Sequence, residues 1–230
     1  MSDLPLLDVT GLTAILATLY GRHTLKPCPD NLRELVVTIL SHRTNKANET
    51  RAFEQMWAKF GSWAAIQDAP LDELTETLSP AKFPDRKAIY IQQTLAAIIK
   101  QRGAYSVDFL AEMPLDEALS WLQALPGVGI KTASLVMLFC FHMPALPVDT
   151  HVHRVSTRVG ILPEGMSAEK AHEYLLTLMP PDAAVLYDFH KLLLKHGQQL
   201  CTFFDPKCEK CPVRPGCLYY LTVRKPQKDR

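Results

Sequence analysis

Leu12, Ile15, Leu16 and Leu19 recur at intervals of three and four residues, as do Leu32, Leu35, Val36 and Ile39. That spacing places each set on one face of an α-helix. Leu175, Leu176 and Met179 repeat the pattern late in the chain. Between them, apolar-periodic runs punctuated by Pro, Gly, Ser or Asp predict further helices over 48–60, 71–78, 85–102, 116–122, 130–142, 150–159 and 183–196. The alternation expected of strands is almost absent, so the expected fold class is all-α with short connections. There is no repeat of fixed period and no low-complexity tract. The longest uncharged apolar run, 133–141, falls far short of the roughly 20 residues that span a bilayer. The start carries Asp3 and Asp8 with no basic residue before its apolar stretch, unlike a secretory signal. These features lead us to expect a protein with no membrane partner, located in the cytoplasm and associated with the nucleoid if bacterial. The basic tail from Arg224 reads as a frayed, solvated end.

Composition narrows the class. The chain has 230 residues, 47% of them apolar and 21% charged, with 10 Gly and 17 Pro, which suits an ordered globule of one large or two small domains. Lys and Arg number 25 against 24 Asp and Glu, a net charge of +1, so no global positive field draws in a nucleic acid. Such a partner has to be held by local geometry. Of six cysteines, Cys28 and Cys140 stand alone, whereas Cys201, Cys208, Cys211 and Cys217 form the run Cys-x6-Cys-x2-Cys-x5-Cys. In a reducing compartment such a run reads as a metal site before it reads as disulfides. Four thiolates suit a tetrahedral zinc or an iron-sulfur cubane, and ligand chemistry alone leaves both open. Lys207, Lys210 and Arg214 lie within the run and offer charge to phosphates.

Leu125-Pro126-Gly127-Val128-Gly129-Ile130-Lys131-Thr132-Ala133 sits between two predicted helices. Gly127 and Gly129, one residue apart around Val128, permit a tight turn whose bare main-chain amides can grip a backbone phosphate without reading bases. An ordinary helix–helix turn is the plainer reading of Gly-x-Gly alone. Lys131 falls at the start of the following helix, where the positive dipole end and apolar neighbours favour a neutral, nucleophilic amine. Asp149 precedes an apolar-periodic helix and reads as its N-cap, a role compatible with proton transfer or charge stabilisation. His151 and His153, two apart, do not share a helix face and do not read as a metal pair. Both are polar residues at a helix start, and His151 is a candidate phosphate contact.

The nine-residue string at 125–133 resembles the helix-hairpin-helix of the endonuclease III branch of DNA glycosylases. Val148-Asp149-Thr150-His151-Val152-His153-Arg154-Val155 resembles that branch's second signature, in matching order and spacing, and the cysteine run resembles its [4Fe-4S] loop. The resemblance extends over about 32–219. It implies two helical domains flanking a DNA-binding cleft: a six-helix barrel with the hairpin at 26–143, and an iron-sulfur cluster domain at 1–25 and 144–230. It further implies a base excision repair enzyme, a bifunctional DNA glycosylase and AP lyase that removes oxidised pyrimidines or related bases. Its partner is double-stranded DNA containing damaged bases or abasic sites, engaged by a monomer. In this family the lysine matching Lys131 displaces the base and forms a Schiff base, the aspartate matching Asp149 assists, and β-elimination cuts the strand. The cysteines matching Cys201, Cys208, Cys211 and Cys217 hold the cluster, whose role is structural and DNA-positioning. The alternatives are a monofunctional or mispair-specific glycosylase of the same superfamily, whose adenine and thymine branches carry other residues at the lysine position, and a non-catalytic DNA-damage-binding protein.

Two positions depart from the pattern. A glycosylase extrudes its target nucleotide and must fill the hole left in the stack. Where endonuclease III has a glutamine two residues past a serine, Ser41-His42-Arg43-Thr44-Asn45 has Arg43; where it has a leucine before a Lys-Ala pair, Ala81-Lys82-Phe83-Pro84-Asp85-Arg86-Lys87-Ala88 has Phe83. An aromatic wedge can stack on bases, and an arginine can reach a base edge or a phosphate. Arg43 and Phe83 are therefore expected to contact DNA and to set the lesion range.

Overall fold

The computed structural model describes residues 6–224. In chain order the α-helices are α1 (Val9–Tyr20), α2 (Asn31–Ser41), α3 (Lys46–Phe60), α4 (Trp63–Asp68), α5 (Leu71–Thr77), α6 (Pro84–Arg102), α7 (Leu115–Gln123), α8 (Ile130–Phe141), α9 (Thr150–Val159), α10 (Ala168–Thr177) and α11 (Ala183–Gln199). No strand occurs among the described residues, so the fold is all-α. None of their helices is long and apolar enough to cross a membrane. The chain divides into two compact units, one running Pro27–Phe141 and one built from Met1–Lys26 with His142–Arg230.

In the unit Pro27–Phe141, side-chain caps start three helices. Asp30 accepts from Arg33 N, Asn45 from Asn48 N and Ser62 from Ala65 N, each supplying an acceptor to an otherwise unpaired first-turn amide. α2 buries Leu32, Leu35, Val36, Val37, Ile39 and Leu40, apolar on nearly every side, and so occupies the interior, against α3, α6 and α8. α8 is similar, burying Ala133, Val136, Met137 and Leu138. Its helix stops at Phe141 because His142 turns left-handed, at φ 51°. α4, with six residues, is too short to show a helical period, and the sequence does not announce it. Cys28 and Cys140, isolated in sequence, meet in this unit with their sulfurs 3.2 Å apart.

In the other unit α11 is the axis, with α1 and α9 laid against it and α10 against α9. Leu12 and Leu16, Val152 and Val155, and Leu186, Phe189, Leu192 and Leu193 form its core. Burying the Asp188 carboxylate is offset by Arg22 Nη1 and His23 N, each donating at 2.8 Å. Beyond α11, tight 3-10 turns at Cys208–Lys210 and Arg214–Gly216 fold the cysteine run back on itself. The basic tail expected to fray lies, past Arg224, outside the described residues.

Candidate active site

The hairpin joins α7 to α8. Val128 N donates to Leu125 O at 3.1 Å and the Val128 side chain is buried, so this residue anchors the turn in the core and its amide is already taken. Gly127 has φ +77°, and a Cβ there would lie 2.6 Å from Tyr90 Cδ2. Conformation and space both demand glycine. Gly129 differs: its φ is ordinary, it is exposed, and a Cβ would meet nothing within 4 Å. Its carbonyl accepts from Ala133 N at 3.0 Å, opening α8, while the amides of Gly129 and Ile130 donate to no other group among the described residues. The unpaired main-chain amides of the hairpin thus lie at the Gly129 edge.

The two glycines therefore separate by experiment. Gly127→Ala is expected to lower the melting temperature by several degrees, because a strained φ and a clash act together. Gly129→Ala is expected to melt within about a degree of the parent while binding duplex DNA severalfold more weakly, since the added methyl obstructs only an approaching backbone. Thermal melts beside duplex titrations check both, and unchanged affinity in Gly129→Ala would remove the phosphate-gripping role.

Lys131, half-buried, is the second residue of α8. Beside it stands His42, a residue the sequence reading passed over. His42 Nε2 lies 2.9 Å from Thr132 Oγ1, and burial, then the charges of Lys131 and Lys87, bring its pKa down to about 4. The imidazole is neutral at neutral pH. Lys87, which the sequence marks only as the lysine of the Lys-Ala pair, is 4% exposed, and its Nζ donates to Leu40 O at 2.6 Å, His42 O at 2.8 Å and Thr44 Oγ1 at 2.8 Å. Burial pulls its pKa down to about 8, against the pull of Glu49. Arg43 and Phe83 are exposed and both left-handed, at φ 54° and 58°. Within one unit the structure thus gathers His42, Arg43, Thr44, Phe83, Lys87 and Lys131.

Asp149 belongs to the other unit. Its Oδ1 accepts from both His151 N and Val152 N at 2.8 Å, so it does cap α9, and its Oδ2 has no hydrogen bond among the described residues. Two buried histidines hold the segment that delivers it. His172 Nε2 accepts from Val148 N at 3.1 Å, and His190 Nδ1 donates to Pro147 O at 2.9 Å. Burial pushes the His172 pKa down. His151 Nδ1 accepts from Arg154 Nη2 at 3.0 Å, which leaves Nε2–H as a donor, whereas His153 Nε2 is engaged with Met166 O at 2.8 Å.

Cys201, Cys208, Cys211 and Cys217 line one pocket with Arg158, His196, Leu200, Pro206, Val213 and Tyr219, and none of the four is in a disulfide. Burial raises the pKa of Cys211 to about 11, opposed by a Val213 main-chain hydrogen bond and reinforced by the other three cysteines; Cys208 and Cys217 are also raised by burial. Among the described residues no three His, Cys, Asp or Glu side chains are gathered closely as a single-ion site. The donor set nonetheless fits an iron-sulfur cluster: four sulfurs face one apolar pocket where mutual repulsion and desolvation oppose four thiolates unless a cationic core neutralises them. Arg158 donates to Cys201 Sγ at 3.5 Å, Thr202 O at 2.6 Å and Phe203 O at 2.8 Å, and Arg154 donates to Cys201 O at 2.9 Å, tying α9 to the run. Of the basic residues within the run, Lys207 and Lys210 are exposed, while Arg214 pairs with Glu209 at 3.0 Å.

The family profile described as HhH-GPD superfamily base excision DNA repair protein matches residues 36–181, which include the hairpin, Lys131 and Asp149. The chain belongs to this superfamily. Endonuclease III of Sulfolobus acidocaldarius is 30% identical over 189 residues, covering 81% of each chain, and endonuclease III of Thermotoga maritima is 30% identical over 191, covering 83% of this chain and 84% of the relative. The transcriptional activator DEMETER of Arabidopsis thaliana is also 30% identical, over 176 residues, but this chain spans only 9% of its length. A solved non-covalent endonuclease III–DNA complex superposes with a TM-score of 0.79 at 25% identity, covering 95% of both chains. A thermostable thymine-DNA glycosylase superposes at 0.72 with 23% identity, a likeness of fold. This HhH-GPD chain is thus an endonuclease III-like member of a DNA glycosylase family.

Proposed function

We propose that this chain removes oxidised pyrimidines or related damaged bases from duplex DNA and then cleaves the strand, with Lys131 as nucleophile and Asp149 as the assisting carboxylate. The placement of Lys131 carries the reading: a primary amine in the first turn of α8, two residues past the exposed Gly129 and beside a neutral His42. Phosphate gripped at Gly129 would bring a sugar to that amine. Lys131 Nζ attacks C1′, the N-glycosidic bond breaks, and the base leaves with its electron pair and takes up a proton. Opening of the sugar ring gives an imine, and loss of a C2′ proton expels the 3′ phosphate. Asp149 moves a proton or stabilises the developing positive charge, for which Oδ2 remains while Oδ1 caps α9. Cys201, Cys208, Cys211 and Cys217 would hold a [4Fe-4S] cluster, which when bound cross-links the run and stabilises its fold. Duplexes each carrying one damaged base, assayed for base release, strand cleavage and borohydride cross-linking, test the reading. Base release without cross-linking would make the chain a monofunctional glycosylase, and binding with neither would make it a damage binder.

Phe83 and Arg43 are read as the residues that fill the gap left by the extruded base. Phe83, 52% exposed ahead of α6, is free to stack. Phe83→Ala is expected to cost roughly 1–3 kcal/mol of damaged-duplex affinity, a fivefold to 150-fold weakening, with an unchanged melting temperature. If Phe83→Ala and Arg43→Ala both bind and turn over like the parent, neither enters DNA.

A further inference from the structure

Two non-glycine residues of the unit Pro27–Phe141 adopt left-handed backbone, Arg43 at φ 54° and Phe83 at φ 58°. Neither arginine nor phenylalanine favours that region, so something must hold each of them there. One buried side chain flanks the first directly and is linked to the second through Thr44. Lys87 Nζ has three N–H groups and gives one each to Leu40 O, His42 O and Thr44 Oγ1. Leu40 lies in the last turn of α2 and His42 just past its end, where carbonyls lack intrahelical partners. A cation supplied by α6 therefore caps α2 and pins the chain on both sides of Arg43. The Thr44 hydroxyl also accepts from Lys82 N at 3.1 Å, which ties the residue before Phe83 to the same hub, while Phe83 O accepts the first main-chain hydrogen bond of α6, from Lys87 N at 3.1 Å.

We infer that Lys87, through Thr44, is the positioning residue that presents Arg43 and Phe83 together, and thereby sets which damaged bases the site accepts. The inference rests on the reading that these two side chains enter the DNA. Lys87 itself is buried and touches no substrate; its effect passes through the two loops it joins. A misplacement of either wedge by about an ångström is expected to cost tenfold to a hundredfold in excision. A sugar that has already lost its base has no stack or pair to break as it leaves the duplex, so its chemistry should be much less affected.

The test compares Lys87→Met and Thr44→Val with the parent on a panel of damaged duplexes and on an abasic duplex, under single-turnover conditions and with melting temperatures measured alongside. Thr44→Val keeps the α2 cap and removes only the shared hydroxyl, so it serves if Lys87→Met does not fold. The expected result is about tenfold or greater loss of damaged-base excision and altered preference within the panel, against a change of twofold or less in abasic-site cleavage. The same substitutions in an Arg43→Ala, Phe83→Ala background should then have no further effect on excision, as for residues acting through one another. Equal losses on damaged and abasic duplexes, or the same loss in the double-alanine background, would overturn the inference and leave Lys87 a structural cap. A double-alanine protein that excises like the parent would overturn both the inference and the reading of the wedges, while Lys131 cross-linking would still stand or fall separately.

Discussion

Lys131→Ala is expected to give no borohydride cross-link to an abasic duplex and to cleave it roughly 10³-fold or more slowly than the parent. Duplex affinity should stay within about threefold, because the hairpin amides proposed to grip phosphate belong to the main chain. An amine that attacks C1′ becomes an imine, which hydride reduces to a stable C–N bond, whereas a water molecule directed by a carboxylate leaves nothing to reduce. Alanine is also a good helix former, so α8 should survive the change. Asp149→Asn is the companion variant. Asparagine caps a helix about as well as aspartate, so the α9 cap at His151 N and Val152 N is retained and the fold with it. Base release should slow by about 10²- to 10⁴-fold, the usual contribution of a positioned acid or base. Gel-shift titration, a cleavage time course and trapping on the same duplex measure all three quantities. A Lys131→Ala protein that still cross-links at the parental rate would assign the nucleophile to another amine.

The largest expected effect on stability lies in the cysteine run. Protein purified without air is expected to be yellow-brown and to contain iron and sulfide, and Cys208→Ser should lower the folding yield and reduce the melting temperature by about 10 °C. The residues around the run explain the size of the effect. Its backbone forms short 3-10 turns in place of a helix ladder, and Val213 is its main buried apolar anchor. Arg158 and Arg154 fasten its first residues to α9, and beyond them single hydrogen bonds tie it down, among them Leu7 N to Gly216 O at 3.3 Å, Lys207 N to Leu200 O at 2.8 Å and Arg224 Nη2 to Pro206 O at 3.4 Å. Without a core to neutralise them, the buried sulfurs stay protonated, since burial raises Cys208, Cys211 and Cys217 alike. Elemental analysis and the visible spectrum are the checks. Zinc at full occupancy in colourless protein would overturn the cluster assignment, and a Cys208→Ser protein as stable as the parent would show that the loop folds unaided.

All the α-helices but the six-residue α4 were legible because their signals are local. Periodicity in Leu32, Leu35, Val36 and Ile39 marks α2, and Asp149, able to accept from the first turn, marks where α9 begins, whereas α3 starts at Lys46, two residues before the expected 48. Lys131 could be placed at a helix start from its neighbours alone, because Gly127 cannot be replaced without strain and α8 opens just after Gly129. Asp149 and the cysteine run were equally local, one a cap and the other a spacing. What escaped the sequence depended on distance along the chain. Lys87 stands in the sequence only as the lysine of a Lys-Ala pair, and its burial depends on α2 ending with carbonyls to accept from it forty-odd residues earlier in the chain. His42 reads as a loop histidine until Thr132 and Lys131 arrive beside it. Cys28 and Cys140 read as isolated although their sulfurs meet. The left-handed turns at Arg43 and Phe83 carry no glycine to betray them. Helix starts depend on groups within four residues, which a sequence displays, whereas burial of a charge and persistence of a disfavoured φ depend on partners that only folding brings near.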